Sequence, residues 1–175
     1  MVGRIAPIKK IEVCLQAISI LIGRGVQISL SVLGPCAEKD LQYLGMLKSF
    51  VLENNLSPYV KFFDAVSPAD LPNIYNSHEI LVNLTETGSF DKTIVEAVSC
   101  GEVPLVSNQS LKILLPGGCV INRKSDDIAS AIQKMCQPQN RINIQEKLGE
   151  FVKTQSLDAL MKALDKEMTA DIKNK

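Results

Sequence analysis

The stretch from Glu79 to Asn108 constrains the fold most, because its pattern predicts a strand, a loop, a helix and a second strand. The apolar runs at 80–84 and 103–106 are typical of strands that are buried on both faces. The helix between them ends at Gly101, a residue type that often caps a helix C-terminus. Two such strands joined by a helix form a right-handed parallel crossover. Ligands of parallel sheets bind beyond the carboxyl ends of the strands and over helix N-termini, so we expect a site at 85–93.

Strand and helix patterns alternate along the rest of the chain as well. Further strands are predicted at 27–33, 60–63 and 119–121, and residues 1–8 look like the stub of a strand that normally begins earlier, as in a piece of a longer protein. Further helices are predicted at 9–23, at 37–54 with Leu41 facing inward, and from a Ser67 cap. A helix at 126–136 follows a Ser125 cap and is ended by Pro138, and the tail is helical over about 142–168, with a break near Gly149 and a new cap at Ser156. Roughly six alternations predict an α/β fold, a three-layer, doubly wound parallel sheet.

The composition excludes several classes of protein. The 175 residues carry 19 basic and 19 acidic side chains, so no global basic field indicates a nucleic-acid partner. No apolar run is long enough for a transmembrane segment. The five cysteines are scattered through apolar segments without a C-x-x-C pair, which favours reduced thiols in a cytoplasmic protein over disulfides or a metal site.

Four segments carry a family resemblance. They are V-G-R-I-A-P-I-K at 2–9, L-G-P at 33–35, S-P-A-D-L-P-N-I-Y at 67–75 and F-D-K-T-I-V-E-A-V-S-C-G at 90–101. In this order they resemble the C-terminal, donor-binding domain of the group 1 retaining glycosyltransferases of the GT-B fold, the superfamily of glycogen and sucrose synthases. The resemblance implies a Rossmann-like, nucleotide-sugar-binding domain over 1–150. It also implies that 151–175 form a C-terminal helix that packs on this domain or returns toward a missing N-terminal domain.

The resemblance assigns the first segment to the donor's diphosphate. It implies that Arg4 and Lys9 are catalytic and that Gly3 lies beside them in the substrate site. The chemistry fits, because a departing nucleoside diphosphate gains negative charge that two cations stabilise most in the transition state. From composition alone, both residues would be solvated surface cations.

The last segment is expected to contact the donor as well. The resemblance implies that Glu96 holds the ribose hydroxyls, since a carboxylate can accept two hydrogen bonds. The family's other acid, which touches the transferred sugar, is replaced by Gly88, and Glu86 is the nearest substitute. Ser89 and Phe90 are expected to offer backbone N–H groups to phosphate at the helix N-terminus.

Asp91 and Lys92 depart from the family pattern, which prefers a glycine and an apolar residue there. A lysine in the first turn of a helix opposes the helix dipole. Lys92 therefore either helps to hold phosphate or is a solvated lysine paired with Asp91.

The resemblance thus implies a hexosyltransferase domain for polysaccharide biosynthesis that uses a UDP-, GDP- or ADP-linked sugar and neither metal nor other cofactor. We expect this chain to be the donor half alone, inactive without its N-terminal domain, in a protein that is cytoplasmic or membrane-peripheral through that domain. Two other interpretations stay open: a catalytically degenerate nucleotide-binding or interaction module, to which Gly88 points, and a nucleotide-sugar epimerase.

Overall fold

The computed structural model describes residues 1–85 and 91–154, with the side chain of Thr154 excepted. Its four strands are β1 (Leu30–Leu33), β2 (Val60–Phe63), β3 (Ile80–Asn83) and β4 (Val103–Val106). Its six α-helices are α1 (Ile11–Gly23), α2 (Leu41–Glu53), α3 (Leu71–Asn76), α4 (Lys92–Ser99), α5 (Ser125–Met135) and α6 (Pro138–Thr154). Short 3-10 turns lie at Pro7–Lys9, Glu38–Asp40 and Gln109–Ile113.

All strand pairing in the described ranges is parallel. β1 pairs with β2 from Leu30 opposite Val60 onward, and β3 pairs with β4 from Ile80 opposite Val103 onward. Isolated parallel bridges add residues 2 and 5 to the β1 side and residue 120 to the β4 side. The predicted α/β fold with a parallel sheet is confirmed. The described residues form it as two two-stranded sheets extended by these bridges, because the segments at 1–8 and 119–121 contribute bridges rather than strands.

The core lies between the strands and the helices that cover them. β4 is buried along its whole length, as expected for a strand covered on both faces. Helix α1 packs on α5 and α2, and α4 packs on α3, α6 and β4. The apolar stripe of α1 is buried, whereas Leu41 at the start of α2 is 54% exposed, contrary to its predicted inward position. No helix in the described residues is long and apolar enough to cross a bilayer.

Several helix boundaries differ from those predicted. The Ser67 hydroxyl bonds the Asp70 carboxylate at 2.8 Å, and α3 begins only at Leu71. Ser125 is the first residue of α5, and its N-cap is Lys124. The preceding helix α5 ends at Met135, before Pro138, as predicted. Pro138 is itself the first residue of α6, where its missing N–H costs no intrahelical hydrogen bond, so α6 begins before the predicted residue 142.

Helix α6 has no break near Gly149 and passes through residue 150 to Thr154. Leu148 and Phe151 are 2% and 4% exposed, so burial on both sides of the glycine holds the helix together. The predicted boundary between 150 and 151 therefore falls inside a helix. The predicted helix beyond it, with a cap at Ser156, lies outside the described residues.

Candidate functional site

The turn between residue 2 and α1 brings the first predicted site segment against the end of β1. Gly3 has φ +127° and Gly34 has φ +145°, backbone conformations that side chains disfavour. A Cβ on Gly34 would lie 2.2 Å from the Gly3 carbonyl oxygen, and a Cβ on Gly3 would touch the end of the Lys9 side chain. The two glycines therefore allow the turn to pack on the strand end with Lys9 above it.

Lys9 lies at the end of a 3-10 turn, and α1 begins only two residues later, after Lys10 adopts a left-handed conformation with φ 50°. Its ammonium group donates to the Asp91 carboxylate at 2.6 Å. The two side chains are 20% and 18% exposed, so the ion pair is mostly shielded from water. Because the two residues are 82 positions apart in sequence, this pair joins the first turn to the N-terminus of α4.

Asp91 is the N-cap of α4 and the centre of a small polar network. Its Oδ2 atom accepts from Lys9 and from the Asn83 amide at 2.9 Å, while its Oδ1 atom accepts from the Thr93 N–H and hydroxyl. Burial opposes ionisation of Asp91, but the hydrogen bonds from Lys9, Asn83 and Thr93 outweigh it, so the pKa of this carboxyl lies below its ordinary value. The carboxylate is therefore fixed in its charged form.

Sequence reasoning missed Asn83 and Thr93. Asn83 is the last residue of β3 and is 6% exposed, and its Oδ1 atom accepts the Thr85 N–H at 3.1 Å. Asn83 could have been found from the sequence, because it is a polar residue at the end of an apolar strand, and ligands of parallel sheets bind beyond the carboxyl ends of the strands. The hydroxyl of Thr85, the last described residue before Asp91, is buried without a hydrogen-bond partner among the described residues.

The other predicted residues lie around this network without joining it. Arg4 and Lys92 are exposed, and neither side chain forms a hydrogen bond or ion pair with a described residue. Asp91 pairs with Lys9, so the interpretation of Lys92 as its partner was wrong. Glu86, Gly88, Ser89 and Phe90 lie outside the described residues.

Glu96 lies on α4, five residues after Asp91, which is about 7.5 Å along a helix axis. Its Oε2 atom accepts the Tyr75 hydroxyl at 3.0 Å. Tyr75 is 2% exposed, and burial together with the Glu96 carboxylate raises the pKa of its phenol. The half-buried Glu96 is thus oriented through Oε2, and its Oε1 atom has no hydrogen-bond partner among the described residues.

The described residues contain no group of three or more His, Cys, Asp or Glu side chains placed to hold a metal ion. All five cysteines are free, and burial raises the pKa of Cys14 to about 11 and of Cys119 to about 12. The chemistry that the site offers is instead that of an oriented cation at a strand end beside a helix N-terminus, an arrangement suited to an anion.

Comparison of the sequence with known protein families identifies the family of this chain. The family model of the glycosyl transferases group 1 matches residues 1–138, so the chain belongs to that family. No match was found among curated protein sequences.

Solved glycosyltransferase structures share the fold, and the match confirms the Rossmann-like domain of a GT-B fold. A glycosyltransferase from Rickettsia africae matches with a TM-score of 0.84 and 16% identity over 99% of this chain and 47% of its own. Anabaena HepE in complex with UDP and glucose matches with a TM-score of 0.79 and 17% identity over 96% of this chain and 47% of its own. The C-terminal domain of Francisella tularensis LpcC matches with a TM-score of 0.77 and 17% identity over 88% of this chain and 83% of that domain. The chain thus spans about half the length of HepE, with 47% covered.

Proposed function

We propose that this chain is the donor-binding domain of a retaining glycosyltransferase that moves a hexose-type sugar from a nucleoside diphosphate to a glycan or lipid acceptor. Family membership supports glycosyl transfer. The observation that carries the donor assignment is the Lys9 ammonium, held by Asp91 beside the N-terminus of α4 at the carboxyl end of β3.

In the proposed reaction, the bond between the anomeric carbon and the diphosphate oxygen breaks, and the bond to the acceptor oxygen forms on the same face of the sugar while the proton of the acceptor hydroxyl passes to water. The departing diphosphate then carries additional negative charge. An ammonium has three N–H donors, so Lys9 can keep one on Asp91 at 2.6 Å and direct others to phosphate oxygens. Asp91 is a positioning residue in this scheme, and Arg4 supplies the second cation from its exposed position.

The nucleoside lies further along α4 in this proposal. Glu96, fixed by Tyr75 through one carboxylate oxygen, accepts ribose hydroxyls through the other. In this proposal Ser89 and Phe90 offer N–H groups to the phosphates, and Glu86 is the candidate for sugar contact in place of the acid that Gly88 replaces. No metal is needed, because cations and N–H groups neutralise the diphosphate.

The acceptor and the groups that position it belong, in this proposal, to an N-terminal domain, since HepE is about twice as long as the chain that matches 47% of it. A donor held by this chain alone is open to water on one side, and positioning of the acceptor supplies much of the rate. We therefore expect the chain to bind nucleoside diphosphates at micromolar to millimolar levels and to transfer no sugar by itself.

Calorimetry and thermal melts with uridine, guanosine and adenosine diphosphates test the donor site. Ligand that binds only the folded chain raises the melting temperature. Lys9→Ala should weaken diphosphate binding about 10- to 100-fold, the value of a charge-assisted contact, while binding of the uncharged nucleoside stays unchanged. Lys48→Ala is the matched control, because it removes one positive charge from an exposed lysine of α2, as Lys9→Ala removes one from the site, and it should leave diphosphate binding unchanged. Equal losses for nucleoside and diphosphate would contradict the assignment of Lys9.

A second candidate is a nucleotide-binding module that has lost transfer, which Gly88 favours because a glycine cannot contact the sugar as an acid would. In that case a nucleotide-sugar binds no tighter than the bare diphosphate. Tenfold tighter binding, about 1.4 kcal/mol, would indicate sugar recognition by another residue, and Glu86→Gln then identifies it. The epimerase alternative has no specific observation in its favour.

A further inference from the structure

The start of α1, two residues after Lys9, is held by a side chain from a different helix. Lys10 is the N-cap residue of α1, and its ammonium group cannot accept a hydrogen bond from the helix. The Ile11 N–H donates instead to the hydroxyl oxygen of Tyr43 at 3.0 Å. Tyr43 lies on α2, 32 positions further along the sequence than Ile11. A remote hydroxyl thus does what a local capping side chain usually does at a helix start.

The hydrogen bond from Ile11 also fixes the backbone of Lys10. The peptide unit that joins these two residues is bonded at both ends, since its N–H donates to Tyr43 and its C=O accepts the Val13 N–H at 3.2 Å. Lys10 has φ 50° and ψ 42°, a left-handed conformation that is unfavourable for a residue with a side chain. Such conformations persist where the surrounding structure determines them, and they are concentrated at ligand-binding and active sites. Tyr43 therefore helps to hold a strained residue directly after Lys9.

The hydroxyl of Tyr43 is itself fixed in position. It donates to Glu12 Oε2 while it accepts from the Ile11 N–H. The phenol is protonated at neutral pH, since even its ordinary pKa of 10 lies far above 7, and burial followed by the bond to Glu12 raises the pKa further. The partly buried ring packs against the core. Tyr43 is thus an oriented side chain, with both functions of its hydroxyl in use.

The same two side chains make the N-terminus of α1 unsuitable for a phosphate. Helix N-termini that follow the carboxyl ends of parallel strands are common anion sites. Here the first N–H of α1 is already bonded to Tyr43, and the Glu12 carboxylate beside it would repel an anion. In the proposed donor site the diphosphate therefore depends on Lys9 and on the N-terminus of α4, so its affinity depends on where Lys9 is placed.

We propose that Tyr43 is a positioning residue of the donor site, an inference that rests on the proposed function of this chain. Its hydroxyl locks Lys10 in the conformation that joins the turn carrying Lys9 to α1. Asp91 holds the other end of the Lys9 side chain through the ammonium group. When a phosphate draws on that ammonium, the locked backbone keeps Lys9 within reach of both anions. Tyr43 acts through Lys9 in this scheme rather than on the ligand.

Calorimetry of Tyr43→Phe tests the proposal, because this change removes one oxygen atom and keeps the ring. The ligands are uridine, guanosine and adenosine diphosphates and the corresponding nucleosides. We expect the affinity for the diphosphate that the wild-type chain binds to fall about 3- to 10-fold, the value of one neutral hydrogen bond, while the affinity for its nucleoside stays unchanged. Tyr59→Phe is the matched control, because Tyr59 is also partly buried but precedes β2, and it should change neither affinity.

A double-mutant cycle shows whether the hydroxyl acts through Lys9. In the Lys9→Ala background, Tyr43→Phe should change diphosphate affinity by less than about twofold, because the side chain that it positions is gone. A hydroxyl that only stabilised the fold, or that acted on the ligand by another route, would have the same effect in both backgrounds.

The ionisation of Asp91 tests the same positioning without a ligand. If Tyr43 holds Lys9 against Asp91, then Tyr43→Phe loosens the ion pair, and the pKa of Asp91, measured by carbon-13 NMR of its carboxyl group, should rise toward its ordinary value of 3.8. A wild-type chain that bound none of the diphosphates would refute the proposed function, and this titration would still decide whether Tyr43 positions Lys9. The proposal is overturned by an unchanged pKa of Asp91, by equal losses for nucleoside and diphosphate, or by a loss that persists in the Lys9→Ala background.

Discussion

Asp91→Asn is the change that most directly tests the polar network at the end of β3. The substitution keeps the side chain's size and its N-cap function, since Asn caps helices as well as Asp does. It removes the negative charge that faces Lys9, which is 20% exposed and 2.6 Å away. A charge-assisted hydrogen bond of this kind contributes about 1.5–3 kcal/mol, so the free energy of unfolding should fall by about that amount at pH 7.

The pH dependence of this loss follows from the lowered pKa of Asp91. A carboxyl whose pKa is lower in the folded chain than in the unfolded chain stabilises the fold above the unfolded value, and the gain disappears as pH falls through the folded value. The difference between the wild-type chain and Asp91→Asn should therefore be complete at pH 7 and shrink below the ordinary value of 3.8.

Urea unfolding at pH 7 and pH 3, followed by circular dichroism, measures this difference. Asp126→Asn is the matched control, because Asp126 is 78% exposed and 3.9 Å from Arg24, and such surface pairs contribute about 0–1 kcal/mol. A double-mutant cycle with Lys9→Ala isolates the pair and should give a coupling of about 0.5–3 kcal/mol. The reasoning fails if Asp91→Asn is as stable as wild type at pH 7, or if the difference is as large at pH 3.

Two further predictions concern stability elsewhere in the fold. Glu102 is 3% exposed, and burial raises the pKa of its carboxyl from 4.5 to about 7, although the Met1 ammonium opposes this shift. A carboxyl whose pKa is raised in the folded chain makes the fold less stable as pH rises through this window. In urea titrations, Glu102→Gln should therefore be about 2–3 kcal/mol more stable than the wild-type chain at pH 8 and equally stable at pH 4. Gly34→Ala should lower the free energy of unfolding by more than about 3 kcal/mol, because the added Cβ would lie 2.2 Å from the Gly3 carbonyl oxygen and the backbone has a positive φ that side chains disfavour. Gly45→Ala in α2 is the control and should raise the free energy of unfolding by about 0.5–1 kcal/mol, because its Cβ would have no atom within 4 Å. Similar melting temperatures for the two variants would exclude the proposed close approach.

Local sequence patterns predicted the bounds of secondary-structure elements well where neighbouring residues alone determine where an element begins and ends. Strands β2 and β4 begin and end at the predicted residues, because short apolar runs bounded by turn residues leave few alternatives. Boundaries failed where tertiary packing decided them. Helix α6 continues past Gly149 because Leu148 and Phe151 are both buried, and no local rule contains that information.

For the candidate site, sequence reasoning found Lys9 and Asp91 separately and could not pair them. Their contact spans 82 residues and depends on the close approach of Gly34 to the Gly3 turn. Asn83 was missed because an asparagine after an apolar strand also fits an ordinary turn. The roles of Arg4 and Glu96 toward a ligand stay predictions.

The Lys9–Asp91 pair bears on affinity as well as on stability. A diphosphate that draws Lys9 partly away from Asp91 leaves that carboxylate with Asn83 and Thr93, which still satisfy both of its oxygens. The carboxylate stays charged at neutral pH, because even its ordinary pKa of 3.8 lies far below 7, and it repels the incoming phosphate. Part of the binding free energy thus offsets the weakened ion pair and this repulsion, which is the physical reason to expect micromolar to millimolar affinity. Asp91→Gly, which restores the residue that the family pattern prefers, removes both this repulsion and the group that positions Lys9. The variant should therefore unfold at lower urea concentration and bind nucleoside diphosphate no more tightly than the wild-type chain; tighter binding would show that Asp91 is not needed to position Lys9.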